Sequence, residues 1–170
     1  MSEDYKNMLK FGQDVFVEGL QKYLDSKKLN WIHERDALIR TKRMAVVNCV
    51  HGIELILKAL LVKKGYIIYK FKRKIFRSDS NISNLINKNL TIDMREALKF
   101  FKKEHTDIDS KHIFQLNKLR NQIIHHGINI DDKKKEYFIG AITYFEKLYE
   151  KEHIRNRSFL EKIKTFKETM

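Results

Sequence analysis

The residues of this chain that are best suited to chemistry lie close together in residues 120–126, which read RNQIIHH. Arg120 carries a permanent positive charge and several donors that can hold an anion, and the carboxamide of Asn121 can orient a neighbouring group. Histidine is the residue type that titrates near neutrality, so His125 can take up and return a proton. Together these residue types indicate a site that binds an anion and moves a proton beside it.

The charge of the chain favours a polyanion as the partner. Its 170 residues include 35 lysines and arginines against 22 aspartates and glutamates, which gives a net charge of +13. Such a surplus attracts nucleic acid or an anionic surface, although it says nothing about the fold. We therefore expect the anion at residues 120–126 to be a phosphodiester.

The sequence carries no pattern that predicts a cofactor or a metal. It has no phosphate loop, no dinucleotide-binding fingerprint and no zinc-finger spacing. Cys49 is the single cysteine, which excludes an internal disulfide, and its apolar neighbours predict a buried, unreactive thiol. His51 and Glu54 lie three residues apart, as metal ligands on a helix can, but this order does not repeat elsewhere. We expect neither a cofactor nor a metal.

The composition favours an all-α fold. Proline is absent and glycine occurs six times, and helices tolerate both residues poorly. The apolar periodicity predicts a single domain over residues 1–170, a bundle of about five to six helices. Their predicted ranges are 4–25, 34–64, 92–104, 110–126, 131–150 and 155–167. Residues 66–90 are expected to form a long basic connecting loop, and residues 151–170 a C-terminal helical extension.

Two of the predicted helices have apolar patterns that indicate their places in the bundle. On the first helix, the apolar stripe includes Met8, Phe11 and Val15, with Phe16 and Tyr23 at its flanks. The second helix is apolar nearly all round in residues 53–61, which predicts a central helix that is touched on several sides.

The sequence predicts a cytoplasmic protein that does not contact a membrane. Residues 1–10 are polar and do not resemble a signal peptide. The longest apolar stretch, residues 53–62, contains Glu54 and Lys58 and is too short to cross a bilayer.

Arg120 is expected to lie within the apolar face of its helix, because helical geometry advances about 100° per residue. Asn121 and His125 are four residues apart and share one flank. The apolar face consists of Ile113, Leu116, Leu119, Ile123 and Ile124. An arginine there needs a receiver for its charge, either Glu54 in an ion pair or a phosphate at a cleft or subunit interface. Glu54 can also pair with Lys58, four residues further on.

A second basic feature lies in residues 69–77, which read YKFKRKIFR. Basic and aromatic residues in alternation can bind a phosphate backbone and stack bases. Four cations are the candidates for contact with the backbone of a nucleic acid: Lys70, Lys72, Arg73 and Lys74. The alternative is a solvated loop without a ligand.

The string Arg120-Asn121-x-x-x-His125 resembles the RNxxxH signature of the HEPN superfamily (higher eukaryotes and prokaryotes nucleotide-binding). Residues 54–61, ELILKALL, are similar to the family's second helix, in which a glutamate precedes an apolar-Lys-Ala-Leu pattern. The resemblance covers roughly residues 5–150.

The resemblance implies a helical bundle that dimerises, with the two motifs meeting across the interface. Many members are metal-independent endoribonucleases that serve as toxins of toxin–antitoxin pairs or as antiviral nucleases. It implies that Arg120 contacts the scissile phosphate, that Asn121 orients Arg120, His125 or the phosphate, and that His125 acts as general acid–base. The ribose 2′-hydroxyl attacks and leaves a 2′,3′-cyclic phosphate. Glu54 and His126 would support the site.

Two further expectations follow from the resemblance. Toxins that a nucleotidyltransferase antitoxin controls often carry tyrosine two residues after the histidine, where this chain has Gly127, so AMP transfer is not expected here. The expected partners are RNA, a second copy of the chain, and an antitoxin or defence protein. The alternative function is a non-catalytic helical module that binds nucleic acid or a partner protein.

Overall fold

The structure is a computed structural model, and it describes residues 3–66, 68, 92–131 and 134–170. These residues contain six α-helices and no β-strand, which confirms the predicted all-α bundle. The helices are α1 (Glu3–Ser26), α2 (Arg35–Lys63), α3 (Met94–Glu104), α4 (Lys111–His126), α5 (Lys135–Lys151) and α6 (Arg157–Thr169).

Local capping explains where the later helices begin. Asp93 caps α3 in a capping box, since its side chain accepts from the backbone of Glu96 and the Glu96 side chain accepts from the backbone of Asp93. Asn156 caps α6 by accepting from the backbone amide of Phe159. The predicted start of the fifth helix at residue 131 is wrong, because α5 begins at Lys135 and Asp131 precedes it.

Helices α1 and α2 form a tightly packed antiparallel pair. A Cβ atom on Gly12 would lie 2.9 Å from the backbone nitrogen of Ile56, and one on Gly19 would lie 2.6 Å from that of Cys49. The absence of side chains at these two positions lets the backbones approach closely. The pairing places the thiol of Cys49 in the core, where burial raises its pKa well above the usual value, and the predicted buried thiol is confirmed.

The second half of α2 is the centre of the bundle, as its sequence predicts. Five of its side chains are at most 1% exposed: Ile53, Ile56, Leu57, Leu60 and Leu61. By length and composition α2 is also the one described helix that could cross a membrane, with a mean hydropathy of 1.8 over its most apolar window. Because 67% of that window is buried inside the bundle, packing against the other helices accounts for its apolar character.

The C-terminal helix α6 belongs to the same core. Its side chains Phe159 and Ile163 are buried in the cluster that holds the other helices together. The start of α6 is tied to two other helices through Asn156, whose side-chain amide donates to Gln13 on α1 at 2.9 Å. Gln13 in turn donates to the hydroxyl of Tyr149 on α5 at 2.7 Å, so a buried polar chain joins α1, α5 and α6.

Candidate anion-binding site on α4

Helix α4 positions the run 120–126 by burying one of its faces, to which Ile123 of the run belongs. Its buried side chains are Ile113, Leu116, Asn117, Leu119 and Ile123. Four of the five residues expected on the apolar face are therefore buried, but the prediction is wrong for Ile124, which is 55% exposed. Arg120 lies one turn before Ile124 and is itself partly exposed, so the two mark the edge of the buried face rather than its middle.

Arg120 has unused donors. One of its terminal nitrogens, Nη2, donates to the Oδ1 atom of Asn117 at 3.1 Å. Its Nε atom is buried and has no hydrogen-bond partner among the described residues. No ion pair joins Arg120 to a carboxylate in the described part of the chain. The guanidinium thus meets a neutral carboxamide, and its charge is not compensated by any described carboxylate.

The first of the two alternatives for Arg120, an ion pair with Glu54, does not form within the described residues. Glu54 instead accepts from the ammonium of Lys58 at 2.6 Å, which confirms the alternative pairing along α2. The pair is favoured because the two residues lie four apart on one helix. Glu54 therefore does not receive the charge of Arg120.

The two histidines of the run are exposed at the end of α4. The rings of His125 and His126 face solvent with their centroids 6.4 Å apart, and Asn121 is half-buried on the same helix. His125 is accessible to a ligand, so the histidine and Arg120 are not sealed inside the subunit. Asn121 forms no side-chain hydrogen bond with the described residues, and the residue that orients Arg120 is Asn117.

Sequence reasoning missed Asn117, although a signal was present. Asn117 is 5% exposed between the buried residues Leu116 and Leu119, and it stands one helical turn before Arg120. A buried carboxamide needs partners, and an arginine three residues away can supply one. The signal in the sequence is a polar residue, Asn117, at the edge of the apolar stripe of α4.

Arg43 on α2 holds the end of α4, and no local sequence signal points to it. Gly127 terminates the helix in the left-handed conformation with φ +58°, and its amide donates to the carbonyl of Ile123 at 3.0 Å. Arg43 donates to the carbonyl of Gly127, to that of Ile128 at 3.1 Å and to the side chain of Asn129 at 3.2 Å. These contacts fix the segment that directly follows His125 and His126.

The other predicted site residues fall into two groups, those outside the described residues and those on α2. Lys70, Lys72, Arg73 and Lys74 lie outside the described residues. His51 is exposed, and Glu54 forms an ion pair with Lys58. These contacts give no support to a metal site formed by His51 and Glu54 on α2.

One cluster of metal-ligand type occurs among the described residues. Ligand atoms of Glu104, His105 and Glu152 all lie within 4.8 Å of one another. The ammonium of Lys64 bonds to Glu104 at 2.6 Å and to Glu152 at 2.8 Å, and His105 bonds to Glu152 at 2.6 Å. Burial raises the pKa of Glu152, but these hydrogen bonds outweigh it and hold the pKa below its usual value. Internal ion pairing therefore accounts for the cluster.

The fold and the site define a class of protein: a basic all-α bundle with an RNxxxH run at the exposed end of one helix. Comparisons with protein-family models, with curated proteins and with solved structures found no match to this chain. The resemblance to the HEPN superfamily thus depends on Arg120, Asn121 and His125 and on the helix at residues 54–61.

Proposed function

We propose that this chain is a metal-independent endoribonuclease of the HEPN type that works as a homodimer. The observation that carries the proposal is the state of Arg120, a partly exposed guanidinium with a neutral partner and a buried donor that no described residue satisfies. An unsatisfied buried donor is unfavourable, and an anion that reaches it would remove the penalty.

A phosphodiester would supply the anionic hydrogen-bond acceptor that Arg120 lacks among the described residues. Guanidinium–phosphate hydrogen bonds are charge-assisted and commonly bidentate, so they are stronger than the bond to the Asn117 carboxamide. The net charge of +13 attracts the polyanionic backbone to the protein. Arg120 would hold the scissile phosphate and stabilise the negative charge that builds up on its oxygens during the reaction.

The exposed imidazole of His125 supports a proton-transfer role beside that phosphate. In the proposed reaction, a base removes the proton of the ribose 2′-hydroxyl, and the 2′-oxygen bonds to the neighbouring phosphorus. The bond from phosphorus to the 5′-oxygen breaks, and an acid returns a proton to that oxygen. The products are a 2′,3′-cyclic phosphate and a 5′-hydroxyl, and imidazoles can perform both proton transfers.

The homodimer is proposed because one subunit offers a single copy of each group and because Ile124, one turn from Arg120, is 55% exposed. A second copy that packs against this end of α4 would cover Ile124 and bring the second set of groups to the site. Light scattering at micromolar concentration should give twice the mass of the chain, and a monomer would contradict the composite site.

The decisive experiment is RNA cleavage in EDTA. Wild-type protein is incubated with total RNA beside Arg120→Ala and His125→Ala, with Lys118→Ala, an exposed cation on the same helix, as the matched control. We expect wild type and Lys118→Ala to cleave and to leave 2′,3′-cyclic phosphate ends, and the other two variants to lose at least about 100-fold in rate.

The other outcomes of this assay are equally informative. Equal cleavage by all four proteins would reveal a contaminating nuclease. Binding without cleavage would support the alternative function, a non-catalytic module for nucleic acid or a partner protein. Cleavage that needs an added metal ion would contradict the proposed mechanism.

The biological role that the resemblance suggests is a toxin or an antiviral nuclease. Such an enzyme would act on RNA in the cytoplasm and would need a partner, an antitoxin or another defence protein, that restrains it. This role rests on the resemblance and on the proposed RNA cleavage together.

A further inference from the structure

The turn between α1 and α2 presents the single tryptophan of the chain to solvent. Trp31 is 55% exposed, which is unusual for so large an apolar side chain. The turn around it is held in one conformation, because the side chain of Asn30 accepts from the amide of Ile32 at 2.8 Å. The side chain of Glu34 accepts from the amide of Asn30 at 2.9 Å. Trp31 is therefore displayed on an ordered turn.

Trp31 lines a cleft of about 500 Å³. The walls come from three parts of the chain: the end of α1, the start of α2 and the segment that follows α4. Two of the lining residues, Leu38 and Ile130, are only 6% and 8% exposed, so these walls are anchored in the core. Leu29, Trp31, Leu38 and Ile130 are its apolar lining residues, and Ser26, Lys27, Lys42 and Asp131 are its polar or charged ones. A cleft of this volume is of the size that binds small organic groups.

The surroundings of the cleft are cationic. Residues 27–43 contain six lysines and arginines against two acidic residues, Glu34 and Asp36. One of the cations, Arg35, places its guanidinium carbon 5.3 Å from the centre of the Trp31 ring. An exposed tryptophan with an arginine stacked on it and further cations around it is the combination that proteins use to bind single-stranded nucleic acid.

We propose that this cleft is a base-stacking subsite for single-stranded RNA. A nucleobase lies against the Trp31 ring between the walls formed by Leu38 and Ile130, and a flanking phosphate meets the exposed guanidinium of Arg35, which lies over the same ring. Asp131 is the one acidic group among the lining residues, and its charge favours the base rather than a phosphate on that side.

The subsite is connected to the end of α4. Ile130 and Asp131 follow His125 by five and six residues, and Arg43 fixes the intervening segment through its bonds to Gly127 and Ile128. A strand whose base is held at Trp31 is thereby anchored beside the segment that leads from the exposed histidines. The choice of RNA rests on the proposed function, but the stacking itself does not require cleavage.

A membrane surface is the competing occupant, and the geometry favours the nucleobase. Insertion into a bilayer requires apolar side chains that project outward, and Ile32, which is 80% exposed, is the residue of this turn that meets that requirement. Trp31 instead lines a concave cleft beside buried residues. The two occupants therefore depend on different residues of the same turn.

The single tryptophan makes the test direct, since all tryptophan fluorescence comes from position 31. The full chain is titrated with 2′-O-methyl RNA of about ten nucleotides, which cannot be cleaved by 2′-hydroxyl attack. We expect quenching that saturates, and no quenching with an abasic strand of the same length and charge. Anisotropy of a labelled strand should show binding about 5- to 150-fold weaker in Trp31→Ala than in wild type. Trp31→Phe, which keeps an aromatic ring, should keep most of the wild-type affinity, and Ile32→Ala should leave the affinity unchanged.

Each contrary result overturns the subsite. Binding of the strand without quenching, or unchanged binding by Trp31→Ala, places the RNA elsewhere. A blue shift of the emission with phosphatidylcholine–phosphatidylserine vesicles, lost in Ile32→Ala and without quenching by RNA, assigns the turn to a membrane. Quenching by RNA in a protein that fails to cleave in EDTA leaves the subsite standing and refutes the nuclease, so the two failures are distinguishable.

Discussion

The hydrogen bonds around Arg120 predict that methionine can replace it with little effect on stability. Within the described residues, Arg120 donates one side-chain hydrogen bond, to Asn117, and its Nε atom has no partner. The replacement removes an unsatisfied buried donor, a gain of about 1–3 kcal/mol, and leaves the Asn117 acceptor unpaired, a loss of similar size. Because the two effects oppose each other, the free energy of unfolding should change by less than about 2 kcal/mol.

Arg43 provides the matched control, because it is an arginine that contacts the end of the same helix. Its guanidinium donates to two backbone carbonyls and one side chain at residues 127–129, and the carbonyls at a helix end need such partners. Arg43→Met removes all of these bonds without supplying a substitute. We expect it to lower the free energy of unfolding by about 2–4 kcal/mol.

Urea denaturation followed by circular dichroism measures both variants against the wild type. The expected order of stability places Arg120→Met close to wild type and Arg43→Met well below it, with similar slopes in urea. A loss of about 3–5 kcal/mol in Arg120→Met, as when a buried charge loses its ion-pair partner, would refute the reasoning. Arg120 would then be a structural residue, and its proposed contact with a phosphate would lose its support.

Two further predictions concern other parts of the bundle. A methyl group at Gly140 would overlap the ring of His112 on the facing helix, so Gly140→Ala should lower the free energy of unfolding by about 1–3 kcal/mol in the same titration. Wild-type stability would mean that the ring moves aside. Burial raises the pKa of Glu152, but the hydrogen bonds from Lys64 and His105 lower it by more, so the pKa lies below the ordinary 4.5. Its ionised form thus stabilises the fold above that value, and the stabilisation is lost as the pH falls through the lower, folded value. Glu152→Gln should flatten the pH dependence of the melting temperature below pH 4.5, and an unchanged slope would contradict this.

The helices were predictable because each carries its own signal. The apolar run in residues 53–61 predicted the central position of α2, and five of its side chains are at most 1% exposed. Gly127 predicted the end of α4. The start of α5 was not predictable from its aspartates, because acidic residues favour a helix N-terminus without fixing which residue begins it.

The inward face of α1 was predicted less well. Phe11, expected on the apolar stripe, is 58% exposed, whereas Phe16 and Tyr23, expected at its flanks, are 0% and 1% exposed. The reason is the packing between helices. Gly12 and Gly19 lie against the backbone of α2, so the residues on the same side of α1 as these glycines face the core. A single helix does not reveal which of its faces a neighbour will approach.

The candidate site also contains residues that the sequence predicts and a residue that it does not predict. Arg120, Asn121 and His125 were found from residue types and spacing, which are local. Arg43 lies 84 residues before the carbonyl of Gly127 that it contacts, and no local pattern encodes such a contact. Residues whose types suit chemistry are thus easier to find in a sequence than the residues that hold them in place.

Among the described residues, the buried side-chain nitrogen and oxygen atoms without a hydrogen-bond partner all lie on α4, the helix that carries the run 120–126. They are Nδ1 of His112, Oε1 of Gln115 and Nε of Arg120. Folded proteins leave few such atoms, because each one destabilises the fold and an apolar replacement often does not. Of the three residues, only Arg120 combines a fixed charge with a partly exposed side chain, so it is the one that an incoming anion can contact, although its Nε atom is itself buried. An apolar side chain at this position would avoid the unsatisfied donor, so the guanidinium is better explained by a ligand than by stability.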